Sequence, residues 1–256
     1  IYSWNMLFRN KELDRAFEFI SHADFDIFCL QEVPEEFLKR LQTLHYFIAF
    51  RIDVERLLKG GTAHIFLVII SRFPITAQGE IPYPDYWPLL PLRARLFVQL
   101  MPSRFFSKIR NRNGLYVDIS TAERMSMRVF NLHLILAQSA WRLKEFEMAM
   151  IKHDKARPTI VCGDFNTLQK PHITLLNWIL GGHASDALFY NRERTHIEKR
   201  FVEHKLTNAL AGGITHPLSQ SQLDHILVSH SFTIKNAEVL SDRVGSDHHP
   251  IRVEVE

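Results

Sequence analysis

The chain has 256 residues, 46% hydrophobic and 23% charged, enough apolar side chain to bury a large core. A net charge of +3 and a pI near 8.9 permit a polyanionic partner without demanding one. Two cysteines, Cys29 and Cys162, exclude a disulfide-stapled scaffold, and the longest apolar run, Ala63 to Ile70, is far too short to cross a membrane.

The chain opens at Ile1, with no Met and already in a strand-like run to Met6, so a processing boundary is expected there. Asn10 is the expected N-cap of a helix carrying Leu13, Phe17 and Ile20 on one face. Asp26 to Gln31 reads as a buried strand with Glu32 at its end, and Pro34 to Leu44 as a helix. A strand over Tyr46 to Phe50 precedes a charged, loop-like stretch from Asp53 to Gly61. Ala63 to Ile70 is then a core strand stopped by Ser71-Arg72-Phe73-Pro74.

Pro82 to Pro91 is too rich in proline for a regular element, and Leu92 to Arg112 is ambiguous between strand and helix. The second segment interleaves Arg104, Lys108, Arg110 and Arg112 with apolar residues. It reads either as a solvated basic surface or as a cleft wall meeting phosphate or a lipid head-group layer. Leu115 to Ile119 and Met125 to Leu132 look like paired strands, and Gln138 to His153 like a helix with Leu143, Phe146 and Met150 on one face. After the strand at Ile160 come a helix near Pro171 to Leu180 and a poorly patterned polar stretch to Gln222. Strands at Leu223 to Val228, Phe232 to Leu240 and Ile251 to Val255 close the chain. Strand runs with helices between them, and no linker or repeat, predict one α/β domain over 1–256 with packed sheets.

The stretch Ile160 to Thr167, IVCGDFNT, ends a buried strand on Gly163 and sets Asp164 and Asn166 two residues apart, able to face one cleft. Five other strand ends also carry polar residues: Asn5 in SWN, Glu32 in LQEV, His133 in NLHL, Asp224 in LDHI, and Asp247-His248 in SDHH. Singly, each has a plain structural explanation as a turn, a cap or a satisfied core group.

Taken in order, W-N, L-Q-E, N-x-H-L, G-D-x-N, L-D-x-I and S-D-H resemble the endonuclease/exonuclease/phosphatase superfamily, over Ser3 to Ile251. The resemblance implies the deoxyribonuclease I-like fold, a four-layer α/β/β/α sandwich of two packed mixed sheets flanked by helices. It implies Mg²⁺ or Mn²⁺ held by Glu32 and Asn5, with Asp247 a further ligand, and a catalytic set of His133, Asp164, Asn166, Asp224 and His248. Arg72, in an ISRFP turn similar to one in the family, is a substrate-binding candidate. Histidine at His133 resembles the nuclease and sphingomyelinase branches rather than abasic-site endonucleases, which carry tyrosine.

The resulting expectation is a monomeric, metal-dependent phosphodiesterase acting on nucleic acid, favoured by the basic balance. A phospholipid-cleaving, sphingomyelinase-like enzyme with membrane contact is the alternative. A catalytically inactive binding scaffold stands behind both, although no metal or histidine position is missing.

Overall fold

The computed structural model describes residues 1–58, 60–102, 107–121, 126–189 and 192–256. In chain order the first elements are β1 (Tyr2–Asn5), α1 (Leu13–His22), β2 (Ile27–Pro34), α2 (Glu35–Leu41), β3 (Phe47–Leu58), β4 (Gly61–Ser71) and β5 (Ile75–Pro82). They are followed by α3 (Leu92–Leu100), β6 (Lys108–Arg110), β7 (Asn113–Ser120), β8 (Ser126–His133), α4 (Ser139–Met150) and β9 (Thr159–Asp164). The remainder is α5 (Pro171–Ile179), α6 (Ala184–Leu188), α7 (Arg192–Glu203), β10 (Leu206–Asn208), β11 (Asp224–Ser229), β12 (Ile234–Val239) and β13 (Ile251–Val255).

Two mixed sheets result, in the orders β12-β13-β1-β2-β4-β3-β6 and β10-β11-β9-β8-β7-β5. Period-two alternation assigns the two faces of each strand. In β2, Ile27 and Cys29 join the core between the sheets, while Phe28 and Leu30 pack outward against α1 and α2 residues such as Ile20 and Phe37. In β9, Ile160 and Cys162 face the inter-sheet core, and Val161 packs with Phe146 of α4 and Phe201 of α7. The layers are therefore helix, sheet, sheet, helix, the sandwich expected from the sequence. Both cysteines are free and buried, as composition implied.

At one end the apolar seam between the sheets gives way to amides. Gln31 Nε2 donates to Asn131 Oδ1 at 2.7 Å, and Asn131 Nδ2 donates to the carbonyls of Leu30 and Val68 at 2.9 Å each. Both side chains are fully buried, so these bonds fix how far one sheet slides over the other.

Three sequence expectations give way. Asp53 to Leu58 is strand, not loop: β3 continues through it, paired with β4, after a bulge between Ile52 and Val54. Its acids find partners across the fold, Glu55 with Arg110 and Asp53 with His133, so charge there does not mean solvent. The stretch before Gln222 holds α6, α7 and β10; α7 escaped notice because its inward face mixes Ile197 and Phe201 with the buried Arg194. Asn10 does not cap α1 at its N-cap position, which Glu12 occupies. Instead it accepts from Glu12 N and donates to the carbonyls of Met6 and Val244. The ambiguous segment resolves into α3 and β6, and Arg104 lies outside the described residues.

Gly163 is required where β8 and β9 meet. Its φ is +144°, and a Cβ there would stand 1.8 Å from the Leu132 carbonyl oxygen. Gly163→Ala is expected to cost about 3 kcal/mol or more of unfolding free energy, from combined backbone strain and overlap. Urea denaturation measures this, and a loss within about 0.5 kcal/mol, ordinary for a tolerant site, would contradict it.

Candidate active site

Strand register delivers the site residues. Asn5 pairs with Gln31, placing Glu32 one residue beyond the end of β1. In the facing sheet His133 pairs with Asp164, and Asp164 with Asp224, so three polar side chains stand abreast on β8, β9 and β11. Two backbone irregularities aim further groups inward. Glu32 sits in a bulge of β2 with φ +55°, and Asn166 follows β9 with φ +52°.

Each sheet then supports a residue of the other. His133, on β8, donates from Nδ1 to Asp53 Oδ2 at 2.6 Å, and Asp53 belongs to β3 of the opposite sheet. His248, in the loop leading to β13, donates from Nδ1 to Asp224 Oδ2 at 2.8 Å. Asn5 of β1 donates its amide to Asp164 Oδ2 at 2.9 Å, and the Asn166 backbone N–H donates to Asp164 Oδ1 at 2.8 Å. The two imidazole Nε2 atoms approach Asp164 Oδ2 from 3.7 Å (His133) and 3.8 Å (His248).

Electrostatics follows from this arrangement. Burial alone would push the His133 imidazole down. The Asp53 charge and hydrogen bond, with Asp164 and Glu32 beyond, overcome that and raise it to about 9. His248 shows the same balance: burial lowers it, but Asp224, Asp164 and Asp247 raise it to about 10. Both rings are thus imidazolium at neutral pH. For Asp247 burial pushes upward, yet the His216 ring, whose Nε2 lies 3.8 Å away, and the His248 charge hold the carboxyl at about 2.

A cleft of about 460 Å³ opens over these groups, lined by Asn5, Glu32, His133, Asp164, Asn166, Asp247 and His248. Asp53 and Asp224 are fully buried and do not line it; they stand behind the two histidines as positioning residues. Glu32 Oε2 accepts from Phe8 N at 3.1 Å, and its Oε1 faces His133 Nε2 at 3.9 Å, beyond hydrogen-bonding distance. Glu32 Oε1, the second lone pair of Asn5 Oδ1 and the half-exposed Asp247 line the same cleft and are hard oxygen donors of the kind a small divalent cation takes. Tighter groups of ligating atoms, within 4.8 Å of one another, are Asp164–Asp224–His248 and His216–Asp247–His248.

Eight of the nine site residues expected from sequence are brought together, and Arg72 is not. Arg72 follows Ser71, which pairs with Ile27 at the start of β2, about 16 Å of strand from Glu32 at 3.3 Å per residue. It is spent on Asp24 and Asp26 at the opposite end of the sheet, and so cannot touch a substrate in the cleft.

Arg112, expected in a basic cleft wall, is buried in an ion pair with Glu145 and donates to the His133 carbonyl at 2.6 Å. It lies in the cleft wall, as expected, but its charge is spent on Glu145 and on holding the His133 segment. Two residues of the site, one lining the cleft and one behind it, escaped sequence reading. His216 lay in the unpatterned stretch, with no local signal. Asp53 did leave one: an acid between β-branched Ile52 and Val54, where a strand continues.

Asp53→Asn should bring the His133 imidazole well down from about 9, because burial then acts with the largest compensating charge removed and only Asp164 and Glu32 left to oppose it. NMR titration of the metal-free protein reads this directly. A value still near 9 would show that Asp53 does not set it.

Comparison with known proteins agrees with this geometry. The family model described as endonuclease/exonuclease/phosphatase matches residues 2–248, whereas no curated protein sequence matches. Among solved structures, a family protein from Leptotrichia buccalis superposes with a TM-score of 0.67 at 15% identity, covering 100% of this chain and 98% of that one. A mannosyl-6-phosphatase from Bacteroides thetaiotaomicron gives 0.61 at 18% identity, covering 100% and 98%. ANGEL2, a 2',3'-cyclic phosphatase solved with adenosine-2',3'-vanadate, gives 0.62 at 16%, covering 99% and 94%. At such identities structural likeness shows the fold alone, and the family model carries the assignment: the chain belongs to the endonuclease/exonuclease/phosphatase family of phosphate-ester hydrolases.

Proposed function

We propose that the protein is a divalent-metal-dependent phosphodiesterase, working by attack of water at phosphorus. One observation carries this reading: two imidazole rings, each backed by a buried carboxylate, converge on the single carboxylate of Asp164. Asp164 is held by the Asn5 amide and the Asn166 N–H, so one oxygen is fixed to orient a water and draw its proton. The Nε2–H groups of His133 and His248 are positive donors aimed into the cleft, suited to phosphoryl oxygens in the transition state. His133, steadied by Asp53, is also placed to hand a proton to the departing alkoxide. A dication on Glu32, Asn5 and Asp247 would neutralise charge on the phosphoryl and leaving oxygens.

The walls bear on the substrate. Val54, Ile65, Ile109, Leu134, Ile135 and Ile173 make much of the cleft aliphatic. Of the basic residues expected to meet a polyanion, Arg110 is paired with Glu55 and Arg112 with Glu145. These features support an ester with an apolar alcohol or acyl part, the phospholipid-like alternative, over the nucleic acid that net charge favoured.

Purified protein should hydrolyse bis(p-nitrophenyl) phosphate with Mg²⁺ or Mn²⁺ and lose that activity in EDTA. Glu32→Gln, which removes charge but little volume, should cost at least about a hundredfold in kcat/KM with an unchanged circular dichroism spectrum. Full activity in EDTA, or an unimpaired variant, would overturn the reading.

A further inference from the structure

The face beside the cleft is unusually apolar for a surface. On α3, Leu92, Leu96 and Leu100 recur every four residues along one side and are 72%, 46% and 80% exposed. Leu89, just before the helix, is 64% exposed, and the adjoining α5 shows Leu175 and Trp178 at 51% and 40%. Isolated exposed leucines need no explanation, but a row of them next to an exposed tryptophan does.

We propose that this face seats the protein on an anionic lipid surface, from which the cleft draws its phosphodiester. The proposal builds on the phosphodiesterase reading and names its substrate class. Charge supports lipid over a second copy of the chain: between Asp85 and Asp118 the sequence has no acidic residue. Arg93 donates to the carbonyls of Trp178 and Gly182, and Arg95 to those of Leu90 and Pro88. Those partners are neutral, so the two guanidinium charges persist beside the leucine row, where lipid phosphates would meet them. A like-charged second copy would be repelled by the same groups. Arg93 also lies 5.1 Å over the Trp178 ring, an aromatic and cation pair suited to the head-group layer.

The face is continuous with the site. Ile173 and Leu176 of α5 line the cleft, and Leu90 and Val98 line an apolar pocket of about 120 Å³. Pocket and cleft share Ile109, Arg112, Ile135 and Leu136 as a common wall, with Tyr86 stacked on Trp141 at 4.2 Å on the pocket side. An ester whose phosphate sits at His133 and His248 therefore has apolar surface to either side for its chain.

The test is sedimentation with phosphatidylcholine vesicles containing about 30 mol% phosphatidylserine, using wild type and Leu92→Glu/Leu100→Glu. Wild type should bind, and the double variant at least about tenfold more weakly, because two exposed apolar anchors become anionic. Hydrolysis of soluble bis(p-nitrophenyl) phosphate by the variant should stay within about twofold, since neither leucine touches the cleft. Leu89→Glu, outside the helix, provides a second variant if the first misfolds, and should weaken binding in the same sense. Wild type that stays in the supernatant, or variants that bind as well as wild type, would overturn the proposal. So would light scattering showing a wild-type dimer that the substitutions dissociate. Vesicle binding needs no turnover, so absent hydrolysis in every metal would count against the phosphodiesterase and not against this face.

Discussion

The site depends on the registration of two sheets that share no backbone hydrogen-bond ladder. Asn5, Glu32 and Asp53 stand on strands of one sheet, and His133, Asp164 and Asp224 on strands of the other. Every decisive contact crosses the gap: Asn5 to Asp164, Asp53 to His133, and Asp224 to His248 in the loop before β13. Sliding one sheet over the other would strain all three together. The buried Gln31–Asn131 clamp, immediately behind, prevents that sliding, because either amide left unpaired would forfeit its full desolvation cost. The apolar seam behind it holds the sheets together without specifying their register as sharply.

The same geometry sets the charges. An imidazolium and a carboxylate are each unfavourable in a buried site, yet arranged as carboxylate, ring, carboxylate they sustain one another. His133 lies between Asp53 and Asp164, and His248 between Asp224 and Asp164. Asp164 is common to both chains, so the two histidines are coupled through it. On the proposed reading, donors stand pre-oriented where a phosphoryl group would gain charge, which spares reorganisation during the reaction.

Much of this was legible in the sequence. Strand ends announced Asn5, Glu32, His133, Asp164 and Asp224, because polar residues at either limit of a mostly apolar run stand out. Their order carried the fold. Asp53 and His216 were hidden for a different reason: each earns its place through a partner some thirty to eighty residues distant, His133 for Asp53 and Asp247 for His216. Arg72 misled because a local turn resembled a family feature, whereas its position at the far end of β4 is a matter of strand direction. α7 was invisible to hydrophobic periodicity because Arg194, buried against Gln222 and His225, occupies its inner face. Local pattern finds residues that end elements and misses those whose surroundings are entirely tertiary.

If the cross-sheet contacts make one catalytic unit, the most direct measurement is a double-mutant cycle on the Asp224–His248 pair. It compares kcat/KM for wild type, Asp224→Ala, His248→Ala and the double variant on one soluble phosphodiester at saturating Mg²⁺. A unit predicts single losses of about a thousandfold or more each, with the double variant little worse than the weaker single. Losses that multiply would show that the two residues act independently, and would contradict the account.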